Sequence, residues 1–99
     1  MIIYNITINV DEEIHDEWLH WMRTVHIPDV MSCNLFASHK VCKIIADDEG
    51  YTYSIQYACE SMQEFTEYQT KHAPKLQQEH SNRYKNRFVA FRTLMEEIE

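Results

Sequence analysis

Glycine is almost missing from this chain: Gly50 is one residue in 99. Phosphate-cradling loops such as GxGxxG or GxxxxGKS need several glycines, so that the backbone can approach the anion, and both are excluded. The GxSxG nucleophile turn of hydrolases is excluded on the same ground. Cysteine is scarce. Cys33, Cys42 and Cys59 are odd in number, form no CxxC step and have no histidine at a zinc-site spacing, so neither a disulfide frame nor a structural zinc is expected. Long apolar runs are absent too, and nothing approaches the ~20 residues that cross a bilayer. The opening MIIYNITINV alternates apolar and polar residues, where a secretory signal has a basic start and a continuous apolar run. These absences predict a cytoplasmic protein with three free thiols, no membrane partner, no metal and no cofactor. Positive charge is also in deficit: nine Lys and Arg face sixteen Asp and Glu, a net charge of −7. That balance opposes attraction to phosphate backbones, so nucleic acid is not an expected partner.

What is present reads as a single α+β domain over residues 1–99, with 44% hydrophobic and 25% charged residues, as in an ordinary globular chain. A core of this size rarely supplies more than about 3–5 kcal/mol of net stability. Small chains add disulfides, metals or partner subunits, and with the first two unindicated a homodimer is expected.

Residues 2–10 alternate with period two, putting Ile2, Tyr4, Ile6, Ile8 and Val10 on one face and Ile3, Asn5, Thr7 and Asn9 on the other. Asp11 is placed to cap a helix whose apolar stripe is Ile14, Trp18, Trp21, Met22 and Val25, ending where Pro28 displaces Ile27 from helical geometry. A second strand is expected from about Leu35 to Ala46. DDEG at 47–50 marks a tight turn, and a third strand from Tyr51 to Cys59 pairs back as a hairpin. Ser61 and Glu64 make a capping box for a second helix bearing Met62, Phe65, Tyr68 and Leu76, which Pro74 should interrupt. RFVAFRTLMEEI then reads as a last strand. Strand, helix, strand, strand, helix, strand is the ferredoxin-like βαββαβ order, an antiparallel sheet with two helices on one face. TVHIPDV at 24–30 and TKHAPKL at 70–76 share T-x-H-x-P, as two related halves would.

The stretches MIIYNITINVDE, WLHWM with its following HIP, YTYSIQYAC, KHAP and RFVAFRT together resemble a family of short bacterial proteins described as a domain of unknown function. More distantly, the element order is similar to the dimeric α+β barrel superfamily, in which two ferredoxin-like sheets face each other. That superfamily includes antibiotic-biosynthesis monooxygenases, EthD-like proteins, haem-degrading monooxygenases and muconolactone isomerases. The resemblance implies a homodimer with a ligand cavity. An asparagine on the first strand lies in the active cavity of the haem-degrading relatives, and Asn5 holds a similar place. Their third-strand tryptophan has no counterpart here, Tyr57 being the nearest residue.

The second face of the two expected central strands carries Asn5, Thr7, Asn9, Thr52, Ser54, Gln56 and Ala58, with no charge among them. Solvated faces usually attract Lys, Glu and Arg, whereas small neutral polar groups suit an enclosed lining. Asn5, Thr7, Thr52, Ser54 and Gln56 are therefore candidate ligand-binding residues for a small organic molecule. Asn5, His72 and His26 are candidate catalytic residues, since an imidazole titrating near neutrality suits acid–base work. The bland alternative has His26 and His72 simply capping helix ends. His15 and His20 are expected on the solvent side of the first helix, and His39 and His80 carry no signal. The basic residues Lys71, Lys75, Arg83, Lys85, Arg87 and Arg92, with only Glu79 among them, could greet an anionic ligand or form a solvated face. Two functions follow: a noncatalytic homodimer binding a small ligand or a partner, and a cofactor-independent monooxygenase, haem-degrading or isomerase-type enzyme in the same cavity.

Overall fold

A computed structural model describes residues 1–46 and 49–99. Its four strands are β1 (Ile2–Val10), β2 (Ser38–Lys43), β3 (Tyr51–Cys59) and β4 (Phe88–Glu96), in the spatial order β2-β3-β1-β4 with every neighbouring pair antiparallel. Two helical arms cover one face. The first comprises a 3-10 turn at Glu12–Ile14, α1 (His15–Trp21), a π turn at Met22–His26 and α2 (Ile27–Met31). The second comprises α3 (Met62–Lys71) and α4 (Ala73–Arg83). This is the ferredoxin-like α+β fold.

Alternation dictates the layers. Tyr4, Ile8 and Val10 of β1 and Tyr53, Ile55 and Tyr57 of β3 are buried against Trp18, Met22, Ile27 and Val30 of the first arm and Phe65, Tyr68, Ala73 and Leu76 of the second. Trp18 and Val10 have no exposed surface. Tyr4, Phe36, Tyr57, Phe65 and Tyr68 form a cluster with ring centroids 4.8–6.5 Å apart. Such pairs contribute about 0.5–1.5 kcal/mol each beyond their area. The capping box forms as the spacing indicates: the Ser61 N–H donates to the Glu64 carboxylate at 2.7 Å.

Three local expectations are corrected. The first helix does not stop before Pro28: Ile27 is helical at φ −63°, ψ −45°, and its N–H donates to the carbonyl of Met22, five residues back. In a regular helix the proline ring would collide with the Thr24 carbonyl, and the wider π turn opens that site. Asp11 makes no side-chain cap; its carboxylate accepts from Arg87 Nε at 2.7 Å instead. The second strand is shorter than 35–46, because Asn34 turns left-handed at φ +63° and Phe36 drops into the core before pairing begins. Asp47 and Asp48 of the expected tight turn lie outside the described residues. Pro74 does break the second arm, at His72, whose φ of −121° separates α3 from α4.

The lone glycine is needed where it stands. Gly50 has φ +74°, and a Cβ there would lie 2.5 Å from the carbonyl oxygen of Val10. Gly50→Ala should lower stability by about 1–2 kcal/mol from left-handed strain alone, with the backbone collision adding to it. Urea denaturation checks this; an unchanged midpoint would contradict it.

Candidate functional site

The sheet divides the candidate residues into two groups. Asn5, Thr7, Asn9, Thr52, Ser54 and Gln56 all lie on the face that no helix covers, joined by the β1–β3 register that sets Asn5 opposite Gln56 and Thr7 opposite Ser54. Gln56 Nε2 donates to Ser54 Oγ at 3.4 Å, Ser54 Oγ to Asn5 Oδ1 at 2.6 Å, and Asn5 Nδ2 to Thr7 Oγ1 at 3.0 Å. Asn9 Nδ2 donates to Thr52 Oγ1 at 3.0 Å and to the Glu49 carbonyl at 2.9 Å. The row thus spends much of its hydrogen-bonding capacity on itself. Beside it β4 presents Val89 and Phe91, 70% and 63% exposed, with Met95 further along.

His72 lies at the break between α3 and α4, stacked on Tyr68 on the helix side of the sheet. The structure therefore does not bring Asn5 and His72 together. His26 is on the helix side as well, inside the π turn rather than at a helix end, and its Nδ1 is the one buried side-chain polar atom among the described residues with no hydrogen-bond partner.

The His26 side chain also lines a chamber of about 40 Å³ between sheet and helices, walled by Ile6, Ile8, Met22, Ile55 and Phe88 with His26, His80, Gln77, Tyr4 and Arg92 among its polar lining. A solvent-open cleft of about 380 Å³ between α3, α4 and the outer half of β4 shares Tyr4, Tyr68, Gln77 and Arg92 with it. No Asp or Glu lines either space. His80 is buried and its Nε2 lies 3.0 Å from Trp18 Nε1, which only donates. His80 Nε2 must accept, so its proton sits on Nδ1. Burial holds His80 down to about 4, reinforced by His26 and then by the Arg92 charge. Burial likewise lowers His26 to about 4, with Asp29 opposing and Arg92 adding to the shift. Burial raises the Tyr4 hydroxyl, against the lowering influence of Arg92. Among the described residues no cluster of three His, Cys, Asp or Glu is placed to hold a metal.

The charged stretches of the sequence answer each other. Arg83 Nη2 meets Glu17 at 3.0 Å, and Arg87 meets Asp11 at 2.7 Å and Glu13 at 3.2 Å. Arg92 has no such partner among the described residues.

The chain belongs to the DUF4286 family. This family, a domain of unknown function, matches residues 1–98. No curated protein matches the chain. Among solved structures, a dimeric ferredoxin-like protein from an uncultured marine organism is similar with a TM-score of 0.75 at 13% identity, covering 99% of this chain and 94% of that one. An ethyl tert-butyl ether d (ethd) family protein from Bacillus halodurans C-125 gives 0.69 at 13% identity, over 99% and 100% of the two chains. A second dimeric ferredoxin-like protein from an uncultured marine organism gives 0.61 at 9% identity, over 99% and 95%. At these identities the likeness establishes the fold.

Sequence reasoning passed over His80 and Arg92 as individual site residues. Both were legible: His80 continues the Ala73, Leu76 stripe toward Tyr84, and Arg92 alternates with Phe88 and Ala90 on the covered face of β4. His15, expected at the surface, instead stacks on Tyr51 with ring centroids 3.8 Å apart and lies 2.6 Å from the Tyr53 hydroxyl.

Because their folded values lie below the unfolded value near 6.5, His26 and His80 bind more protons unfolded than folded between about pH 4 and 6.5. Their contribution to stability is complete above pH 6.5 and declines as pH falls through that window. Histidine side-chain NMR should show both rings neutral at pH 5.5. A midpoint near 6.5 for either would refute the burial argument.

Proposed function

We propose that the protein is a homodimer whose two open sheet faces cover one another, and that each subunit binds a small organic ligand in the chamber and cleft beside β4. The observation that carries the dimer is the open face itself: an uncharged polar row on β1 and β3 flanked by Val89 and Phe91 at 70% and 63% exposure. An apolar strip of this kind calls for a cover. The two marine proteins of similar fold are described as dimeric, which supports the same assembly. In it Asn5, Thr7, Thr52, Ser54 and Gln56 line the space between the sheets.

The ligand reading rests on the helix-side chamber, with apolar walls around a few convergent polar residues that include His26, the usual anatomy of a small-molecule site. A second reading, the cofactor-independent monooxygenase, haem-degrading or isomerase-type enzyme, would use His26 as the proton acceptor. Binding is preferred, because a histidine held down to about 4 is a weak base at neutral pH.

Light scattering at micromolar concentration should give twice the chain mass, and Phe91→Glu should give the single chain mass with an unchanged far-ultraviolet spectrum. A monomeric wild type would overturn the dimer.

A further inference from the structure

We infer that the cleft selects a small organic acid, its carboxylate seated on Arg92 and its apolar body directed into the chamber. This inference rests on the ligand reading above and adds the chemical class of the ligand. Its starting point is where β4 places Arg92. The β1–β4 register sets Arg92 opposite Ile6 on the helix-covered face, and Arg92 lines both the outer cleft and the inner chamber. A guanidinium at that junction meets any molecule that enters.

Its charge is uncommitted. Arg83 and Arg87, the preceding arginines, are each held by carboxylates of the first arm, whereas Arg92 has no carboxylate partner among the described residues. The lining offers no acid to compete for it. Nearby donors extend the positive character: the Tyr4 hydroxyl and the Gln77 amide border both spaces, with Gln77 Nε2 donating to Tyr4 Oη at 3.5 Å. Both histidines beside it are neutral near pH 7, so the site carries one positive charge in all.

One planar guanidinium matches a monocarboxylate through two parallel hydrogen bonds. A phosphate dianion would leave charge unmatched. Beyond the head, the chamber walls are Ile6, Ile8, Met22 and Phe88, which favour a hydrocarbon over a second polar group. A chamber of about 40 Å³ admits only a short tail or the edge of a ring, the rest lying in the outer cleft.

The test compares benzoate and hexanoate with their uncharged amides, by calorimetry and by methyl NMR of the intact protein. The carboxylates should bind about tenfold or more tightly than the amides, the margin of a hydrogen bond to a charged partner over a neutral one. Resonances of Ile6, Ile8 and Met22 should move. Arg92→Met should erase the preference while leaving amide affinity in place, and Arg92→Lys should keep part of it. Carboxylates binding no better than amides, or an undiminished preference in Arg92→Met, would overturn the acid assignment while leaving the ligand site standing. If none of the four compounds binds, or if only open-face residues such as Asn5 and Thr7 respond, the chamber reading itself is lost and this inference with it.

Discussion

β1 is paired along its whole length on both sides, with β3 and with β4. That double pairing is the constraint from which the rest follows. A strand so placed cannot rotate or slip without moving every side chain to the wrong face. Ile2, Tyr4, Ile8 and Val10 must then meet the helices, and Asn5, Thr7 and Asn9 must point away from them. The sheet becomes a partition. On one side lie the core, His26, His80 and the chamber; on the other lies a neutral polar row with nothing over it.

Most of the fold was legible because alternation and capping are local signals. β1 and β3 have the bounds that period-two patterning indicates, and the Ser61–Glu64 box opens α3 as its spacing requires. The second strand was misjudged where tertiary packing decides: Leu35 and Phe36 have strand-like chemistry, but Phe36 fills the aromatic cluster around Tyr4 and Tyr57. The candidate residues of the open face were found as a group because they share one register. The separation of Asn5 from His72 was legible as well: both helices must cover the apolar face of Ile2, Tyr4, Ile8 and Val10, which leaves Asn5 on the other side of the sheet from the broken helix.

The two T-x-H-x-P segments show how one local conflict has two physical outcomes. Each proline would collide with the carbonyl of its threonine four residues earlier. At Thr24–Pro28 the helix widens into a π turn and continues, which keeps Ile27 and Val30 buried. At Thr70–Pro74 the chain leaves helical geometry at His72 and restarts, which lets α4 bring Ala73, Leu76 and His80 onto the core in a new direction. The outcomes set the fates of the histidines. His26 stays inside a continuous helical arm and turns toward the chamber, whereas His72 occupies the discontinuity.

The charges follow from the same geometry. The start of β4 passes beneath the beginning of the first helical arm, as the Asp11 N–H bonded to the Arg87 carbonyl at 3.0 Å records. Acids crowded into residues 11–17 therefore meet the basic residues that close α4 and open β4, and Arg83 and Arg87 are neutralised there. Being exposed and screened by solvent, these pairs contribute little to stability. Their larger consequence is spatial. Four residues further along β4, Arg92 has passed beyond the reach of those acids and stands over a lining with no negative group. In a chain of net charge −7, this leaves one solvent-exposed cation free of any carboxylate among the described residues, beside two buried neutral imidazoles and open to an anion from solution.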